Sequence, residues 1–335
     1  MKINELPGSQ ATYKLNAGEG KRYVFENQLA TVIARQEDIG FPMAGAILTG
    51  AKGAKFPVHV HAKSHEALYV VEGSFSLVLG DEHFLLSPGD YVNIPAGTKH
   101  GFRYMSHRGK LISWTFDGHA NDIYAALGEP FKGTVFRETD EQVDWAGAGD
   151  AADTTFIPHS SSGAREYSEP CRTAPEGPVP FVLASSEGER MIAADQLYTL
   201  MGNQSHSNGV FISIMNDGLA GPPIPRHFHE RVSETFYVLT GALEMFVDGE
   251  MTTLYPGDFL HIPPRAVHAF QIVGHNTRFL GFITPGLFEP FFRYLCEPFE
   301  GYVCPIPPPP FKFDRVLQHL GELDLRLVGG KPPGV

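Results

Sequence analysis

The sequence predicts an all-β protein made of two tandem double-stranded β-helix (jelly-roll) barrels with short peripheral helices. Three observations predict it. The chain repeats itself at one fixed offset, its apolar residues fall in short strand-like runs, and each copy carries metal-ligand residue types on two separate hairpins that have to meet in an interior. The 36 glycines and 27 prolines supply the turns such a fold needs.

The repeat is clearest where the chemistry is. His59, His61, Glu66 and His100 recur as His227, His229, Glu234 and His268, each displaced by 168 residues. Gly53, Pro57, Gly73, Gly89 and Pro95 recur at the same offset as Gly221, Pro225, Gly241, Gly257 and Pro263. The match runs from about residue 18 to 136 and again from 186 to 304, without a gap. It divides the chain into an N-terminal domain at 1–145, a linker at 146–180 and a C-terminal domain at 181–335.

Composition fits this reading. Hydrophobic residues make up 42% and charged residues 19% of 335, as in ordinary globular proteins. A formal net charge of −12 opposes binding to nucleic acid or anionic membrane. The first residues, Met1 to Gly8, hold no apolar signal region, so a cytoplasmic protein is expected. Cys171, Cys296 and Cys304 are too few and too scattered for a disulfide framework.

Taken in order, residues 1–17 carry little pattern and read as an arm that packs across a barrel or a partner subunit. Tyr23-Val24-Phe25 and Leu29 to Ala34 read as strands. His59 and His61 are two apart, so both imidazoles leave one face of an extended strand. Glu66 breaks that parity and requires a bend or bulge. Residues 67–79 and 83–86 read as a hairpin through Gly80-Asp81-Glu82, and Pro95-Ala96-Gly97 as a turn delivering His100. Phe102 and Tyr104 share the parity of His100, and Phe270 repeats Phe102. Residues 119–131 and 287–295 read as short helices outside each barrel, with aromatic residues belonging to the core. The stretch 146–180, including Ser160-Ser161-Ser162-Gly163, has no sustained period. After the prolines 307–310, residues 313–325 read as a docking helix. His65 is expected beside the site or at the surface, and His107 and His275 in structural hydrogen bonds.

The spacing Gly53-x5-His59-x-His61-x4-Glu66-x6-Gly73, followed by Gly89-x5-Pro95-x-Gly97-x2-His100, resembles the cupin signature. The second copy departs from it only at Arg265, which stands where the first has Gly97. The fold expected is therefore a bicupin. Within bicupins the chain resembles the quercetin 2,3-dioxygenases (flavonol 2,4-dioxygenases) of the bacterial type, in which both cupins keep metal ligands. The likeness rests on Gly18-Glu19-Gly20-Lys21-Arg22-Tyr23, on residues 56–61 and 93–100, and on Pro285-Gly286-Leu287-Phe288-Glu289-Pro290-Phe291-Phe292-Arg293.

Three imidazoles and a carboxylate suit one divalent transition metal per domain, Fe, Mn, Co, Ni or Cu, with a position left for substrate. The resemblance implies that quercetin or a similar flavonol is deprotonated at its 3-hydroxyl beside the metal. Dioxygen then opens the heterocyclic ring, giving a depside and carbon monoxide. Moving a proton from a hydroxyl of pKa ~10 to a carboxylate near ~4.3 is uphill by about 8 kcal/mol unless the metal lowers the former. Glu66 and Glu234 are the expected proton acceptors, as well as ligands. Met43, Ile47, Phe56, Phe102, Tyr104 and Phe116 are candidates to line an aromatic slot in the N-terminal domain. The family also implies a homodimer. Three rival readings stand beside this one. A Mn-dependent bicupin decarboxylase of a small acid would need a cationic anchor where Phe102 and Phe270 stand. A non-catalytic metal-binding bicupin has no need of two complete ligand sets. A dioxygenase of another enolised aromatic or diketone would use the same ligands.

Overall fold

The computed structural model describes residues 1–133, 143–158 and 166–329. It separates into two compact units. One contains Gly20–Gln36 and Pro42–Ser186, the other Met1–Glu19, Glu37–Phe41 and Glu187–Val335.

In the N-terminal unit an eight-stranded sheet faces a five-stranded one. The larger holds Met43–Ala51, Arg108–Phe116, His65–Glu72 and Tyr91–Ile94 as neighbours. The smaller runs Thr155–Phe156, Lys55–Val60, His100–Tyr104, Phe75–Leu79 and Glu82–Leu86. The C-terminal unit repeats the plan with nine and five strands. The parity change between His61 and Glu66 has a simple origin. The chain leaves the small sheet at Val60 and re-enters at His65 in the large one, so it changes sheet rather than bulging. The 67–79 run is likewise two strands in two sheets, broken at Gly73. Gly73 and Gly241 both adopt φ +78°, and a Cβ at Gly73 would lie 2.4 Å from the Arg108 carbonyl oxygen.

The boundaries read from sequence need correction, because the leading strand of each repeat lies in the other unit. Tyr13–Leu15 pairs with Phe259–Ile262, and Phe181–Leu183 with Tyr91–Ile94. These arms keep the 168-residue offset, Tyr13 matching Phe181 and Leu15 matching Leu183. Asp258 accepts a hydrogen bond from Ala17 N and Asp90 from Ser185 N, each at 2.9 Å. The expected arm thus exists, as a sheet strand.

The linker is also structured. Residues Trp145–Asp150 form a helix and Thr155–Phe156 a strand on the small sheet, whereas Ser160-Ser161-Ser162-Gly163 lie outside the described residues. Among its described residues the tail is helical only at Asp314–Gln318 and then adds the strand Arg326–Leu327. The predicted peripheral helices are present at Ile123–Leu127 and Glu289–Leu295, each entered through a 3-10 turn. Among the described residues no helix is long and apolar enough to cross a membrane. Cys171, Cys296 and Cys304 are unpaired.

At the arm of the C-terminal unit, His261 is buried, 2.7 Å from Ser233 Oγ through Nε2 and 2.8 Å from the Ala11 carbonyl through Nδ1. Burial lowers its pKa from 6.5 to about 4, against the Ala11 hydrogen bond and the charge of Asp38. The unfolded chain therefore takes up a proton near pH 6.5 that the folded chain refuses until about pH 4. Stability is complete above 6.5 and is lost as pH falls through that window, by on the order of 3 kcal/mol. Urea titrations at several pH values should show His261→Gln losing less stability than the parent between pH 6.5 and 4; parallel curves would contradict it.

Candidate metal centres

His59 and His100 face each other across adjacent antiparallel strands, as do His227 and His268. Glu66 and Glu234 come from the opposing large sheet. All eight side chains are buried. The donor atoms of His59, His61, Glu66 and His100 lie within 4.8 Å of one another, and so do those of His227, His229 and His268. Glu234 stands at the edge of its cluster, its oxygens 3.4 Å from His229 Nε2 and 3.2 Å from His268 Nε2.

Every imidazole is oriented by its outer nitrogen. The Nδ1 atoms of His59, His61 and His100 lie 2.8, 2.7 and 2.8 Å from the carbonyl oxygens of Pro57, Asp153 and Thr98. Those of His227, His229 and His268 lie 2.8, 2.5 and 2.9 Å from the carbonyls of Pro225, Asp324 and Ala266. Carbonyls only accept, so each Nδ1 carries the proton and each Nε2 turns a lone pair inwards. Three lone pairs and a carboxylate then converge in a dry interior. Glu66 Oε2 and His100 Nε2, 2.8 Å apart, require a proton or a cation between them. His229 Nε2, also buried, has no hydrogen-bond partner. These donors fit a divalent transition metal.

The electrostatics of the protein alone say the same. Burial, then His100 and His61, pushes the His59 pKa well below its ordinary value. Burial also opposes charge on His61, but the hydrogen bond and charge of Glu66 outweigh it and raise its pKa. For Glu66, burial is overcome by hydrogen bonds from His100 and His61, which hold the carboxyl well below the usual range. His227, His229 and Glu234 shift in the same directions. Each cluster thus keeps its carboxylate ionised and borrows positive charge from an imidazole.

Two residues invisible in the repeat complete the sites. Asp153 presents its carbonyl to His61 while its carboxylate accepts from the backbone N–H groups of Ala62, Lys63 and Ser64. Asp324 does the same for His229, Glu230, Arg231 and Val232. Their offset is 171, so a slip of three residues hid the correspondence. Ser113 donates to Glu66 Oε1 at 2.6 Å, and Tyr124 lines the same cavity. Burial, then the charge of Glu66, keeps the Tyr124 hydroxyl protonated, against a hydrogen bond with Ser113.

Of the six candidates for the aromatic slot, only Phe56 and Phe102 line the N-terminal cavity. Strand parity removes three others: Leu48 and Thr115 point inwards, so Met43, Ile47 and Phe116 face the other side of their sheet. Tyr104 has the right parity but lies deeper, packed on Phe75 and over Gly50 and Gly109, where no Cβ would fit. The peripheral helices correct the expectation in the opposite sense, because Phe288, Phe291 and Phe292 line the C-terminal cavity. His65 is buried and bonded to Asn93 Oδ1 at 2.9 Å, whereas His107 and His275 are exposed.

Two double-sheet halves, each centred on three histidines and a glutamate, define a two-domain cupin metalloprotein. The Cupin domain family model matches residues 46–114 and 219–280. The fold resembles a solved structure of Bacillus subtilis oxalate decarboxylase, with a TM-score of 0.55 at 16% identity over 84% of this chain and 79% of that one. In sequence, the chain is 40% identical to quercetin 2,3-dioxygenase of Bacillus subtilis (strain 168), covering 97% of this chain and 98% of that one. It is 30% identical over 134 residues, 36% of this chain and 37% of the other, to quercetin 2,3-dioxygenase of Aspergillus japonicus. The chain belongs to the quercetin 2,3-dioxygenase family of cupins.

Replacing Asp153 or Asp324 by Ala frees three loop N–H groups and loosens the carbonyl that orients one imidazole. Metal affinity in that half should fall about 10–100-fold. The readout is one ion per chain instead of two after dialysis against a weak chelator; retention of two would exclude this orienting role.

Proposed function

We propose that this protein is a metal-dependent dioxygenase that opens the heterocyclic ring of quercetin-like flavonols with O2, releasing a depside and carbon monoxide. The observation that carries the reading is the 40% identity to Bacillus subtilis quercetin 2,3-dioxygenase over 97% of the chain, joined to seven converging donors with Glu234 at the edge of the second cluster. His59, His61, Glu66 and His100 would hold one divalent transition metal, and His227, His229, Glu234 and His268 another. The bound metal supplies Lewis acidity that lowers the pKa of a flavonol 3-hydroxyl.

The chain's own part is proton transfer and desolvation. Glu66 and Glu234 are ionised and buried, so either can accept the hydroxyl proton at neutral pH. The six Nδ1–carbonyl contacts fix the tautomer that turns each Nε2 towards the metal position. The walls, Phe56 and Phe102 in one half and Phe270, Phe288, Phe291 and Phe292 in the other, exclude water and suit a flat aromatic. A small dicarboxylate fits poorly, since no Lys or Arg lines either inner cavity among the described residues.

Mixing metal-analysed protein with quercetin should consume O2 and release one carbon monoxide per flavonol, abolished by a chelator; no turnover by fully loaded protein would refute the assignment. Glu66→Gln and Glu234→Gln, each with its metal content measured, locate the proton acceptor. The responsible variant should lose about 10²–10⁴-fold in kcat with metal retained. If both keep the full rate, the carboxylates are ligands only. A cytoplasmic homodimer is part of the same proposal, supported by the family resemblance, and sedimentation analysis should give twice the chain mass of 36.8 kDa.

A further inference from the structure

The two halves share their donors but differ around them, in the hold on the carboxylate and in the size of the inner chamber. In the N-terminal half, Glu66 is pinned: Ser113 Oγ donates to one oxygen at 2.6 Å and His100 Nε2 lies 2.8 Å from the other. All four donors are therefore drawn into one cluster. In the C-terminal half the residue at the Ser113 position is Gly281, and Glu234 stays outside the cluster of three histidines. A carboxylate held in the ligand cluster leaves fewer positions for substrate than one that stands back from it.

The space follows the same division. In the N-terminal half the ring of Phe56 packs 5.1 Å from Trp145 and 6.2 Å from Phe156, with Trp145 and Phe156 5.2 Å apart. Behind this plug the cavity has a solvent-accessible volume of about 10 Å³, room for about one water. The matching residues in the other half are Ile224, Val316 and Leu327, all smaller. The C-terminal cavity is about 90 Å³. It shares Gln196, Ile224, Pro225, Phe270 and Phe311 with an outer groove of about 590 Å³, so a ligand too long for the inner chamber can extend outwards. The N-terminal cavity likewise shares Phe56 and Phe102 with an outer groove of about 550 Å³, so the two halves differ in the inner chamber and not in the groove outside it.

The polar groups of the two walls also differ: Thr115, Asn121 and Tyr124 line the N-terminal cavity, whereas Gln196, Tyr198 and Asn216 form a connected cluster in the C-terminal one. Tyr198 Oη and Asn216 Nδ2 both donate to Gln196 Oε1 at 2.8 Å, and all three residues line the cavity. The first copy has Ala30 and Leu48 at the positions of Tyr198 and Asn216. An apolar chamber with one small polar cluster suits a flat ligand bearing hydroxyl groups.

We infer that the flavonol binds and is converted in the C-terminal cupin alone, the N-terminal cation serving to brace its barrel. This rests on the dioxygenase reading above. The test is anaerobic titration of the two-metal protein with quercetin, followed by the flavonol's absorbance, for the parent chain and for Ile224→Phe/Leu327→Phe. That variant introduces two of the three aromatic side chains of the N-terminal plug, those of Phe56 and Phe156, into the C-terminal half. The expected results are one quercetin per parent chain, and at least tenfold weaker binding by the variant with both metal ions retained. Two quercetins per parent chain, or undiminished binding by the plugged variant, would overturn the inference. Should the double variant fail to fold or lose metal, Ile224→Phe alone takes its place with the same expected and overturning results. No binding by the parent would remove the dioxygenase reading and this inference with it.

Discussion

The arrangement on which both sites depend is the set of six contacts between imidazole Nδ1 and backbone carbonyl. Each fixes a tautomer, and together they aim six Nε2 lone pairs into two water-poor interiors already holding a carboxylate. Without a cation such a cluster must protonate an imidazole to be tolerable, as the raised pKa of His61 and His229 reflects. The fold supports this cost because the carbonyls belong to rigid features. Pro57 and Pro225 stand two residues before their histidines, and Asp153 and Asp324 are locked by three backbone N–H groups each.

On that common frame the two copies have diverged in what surrounds the carboxylate. A serine on the strand beside Glu66 ties it in place, while the glycine at the equivalent position leaves Glu234 without that tie. Phe56, Trp145 and Phe156 crowd together beside the first chamber, whereas the smaller Ile224, Val316 and Leu327 stand at their positions beside the second, which is wider although phenylalanines wall it. A duplicated chain that keeps both ligand sets can hold one as a brace and the other as a reactive centre, because ligand identity alone does not decide between those uses. Access and the freedom of the fourth ligand do.

Much of this was legible in the sequence. The fixed offset revealed the duplication, and the His-x-His, Glu and His spacing singled out the eight side chains that the two interiors bring near one another, Glu234 at the edge of its cluster. Strand parity with His100 turns Phe102 inwards, whereas the strands of Met43, Ile47 and Phe116 carry no ligand to say which face is inward, and their neighbours Leu48 and Thr115 take those positions. Asp153 and Asp324 stayed hidden because three extra residues between Gly301 and Asp324 break the offset, and because their function rests on a backbone carbonyl, which no residue type announces. The cavity-lining faces of the peripheral helices were equally obscure. Phe288, Phe291 and Phe292 have the spacing of an ordinary buried helix face, and only tertiary placement shows that the face looks into a chamber.

The exchanged arms bear on the same chemistry. Tyr13–Leu15 pairs with Phe259–Ile262, which pairs in turn with the strand carrying Glu234, in register with Ile262. Phe181–Leu183 stands in the same relation to Tyr91–Ile94 and to Glu66, in register with Ile94. Removing an arm would turn the strand next to each carboxylate into a bare edge, with unpaired N–H and C=O groups free to fray or to pair elsewhere. Each arm is set by an aspartate, Asp258 or Asp90, immediately after the glycine that both copies retain. The position of each carboxylate is therefore buttressed by sequence that begins the other repeat, and neither half carries within itself everything needed to hold its own fourth ligand.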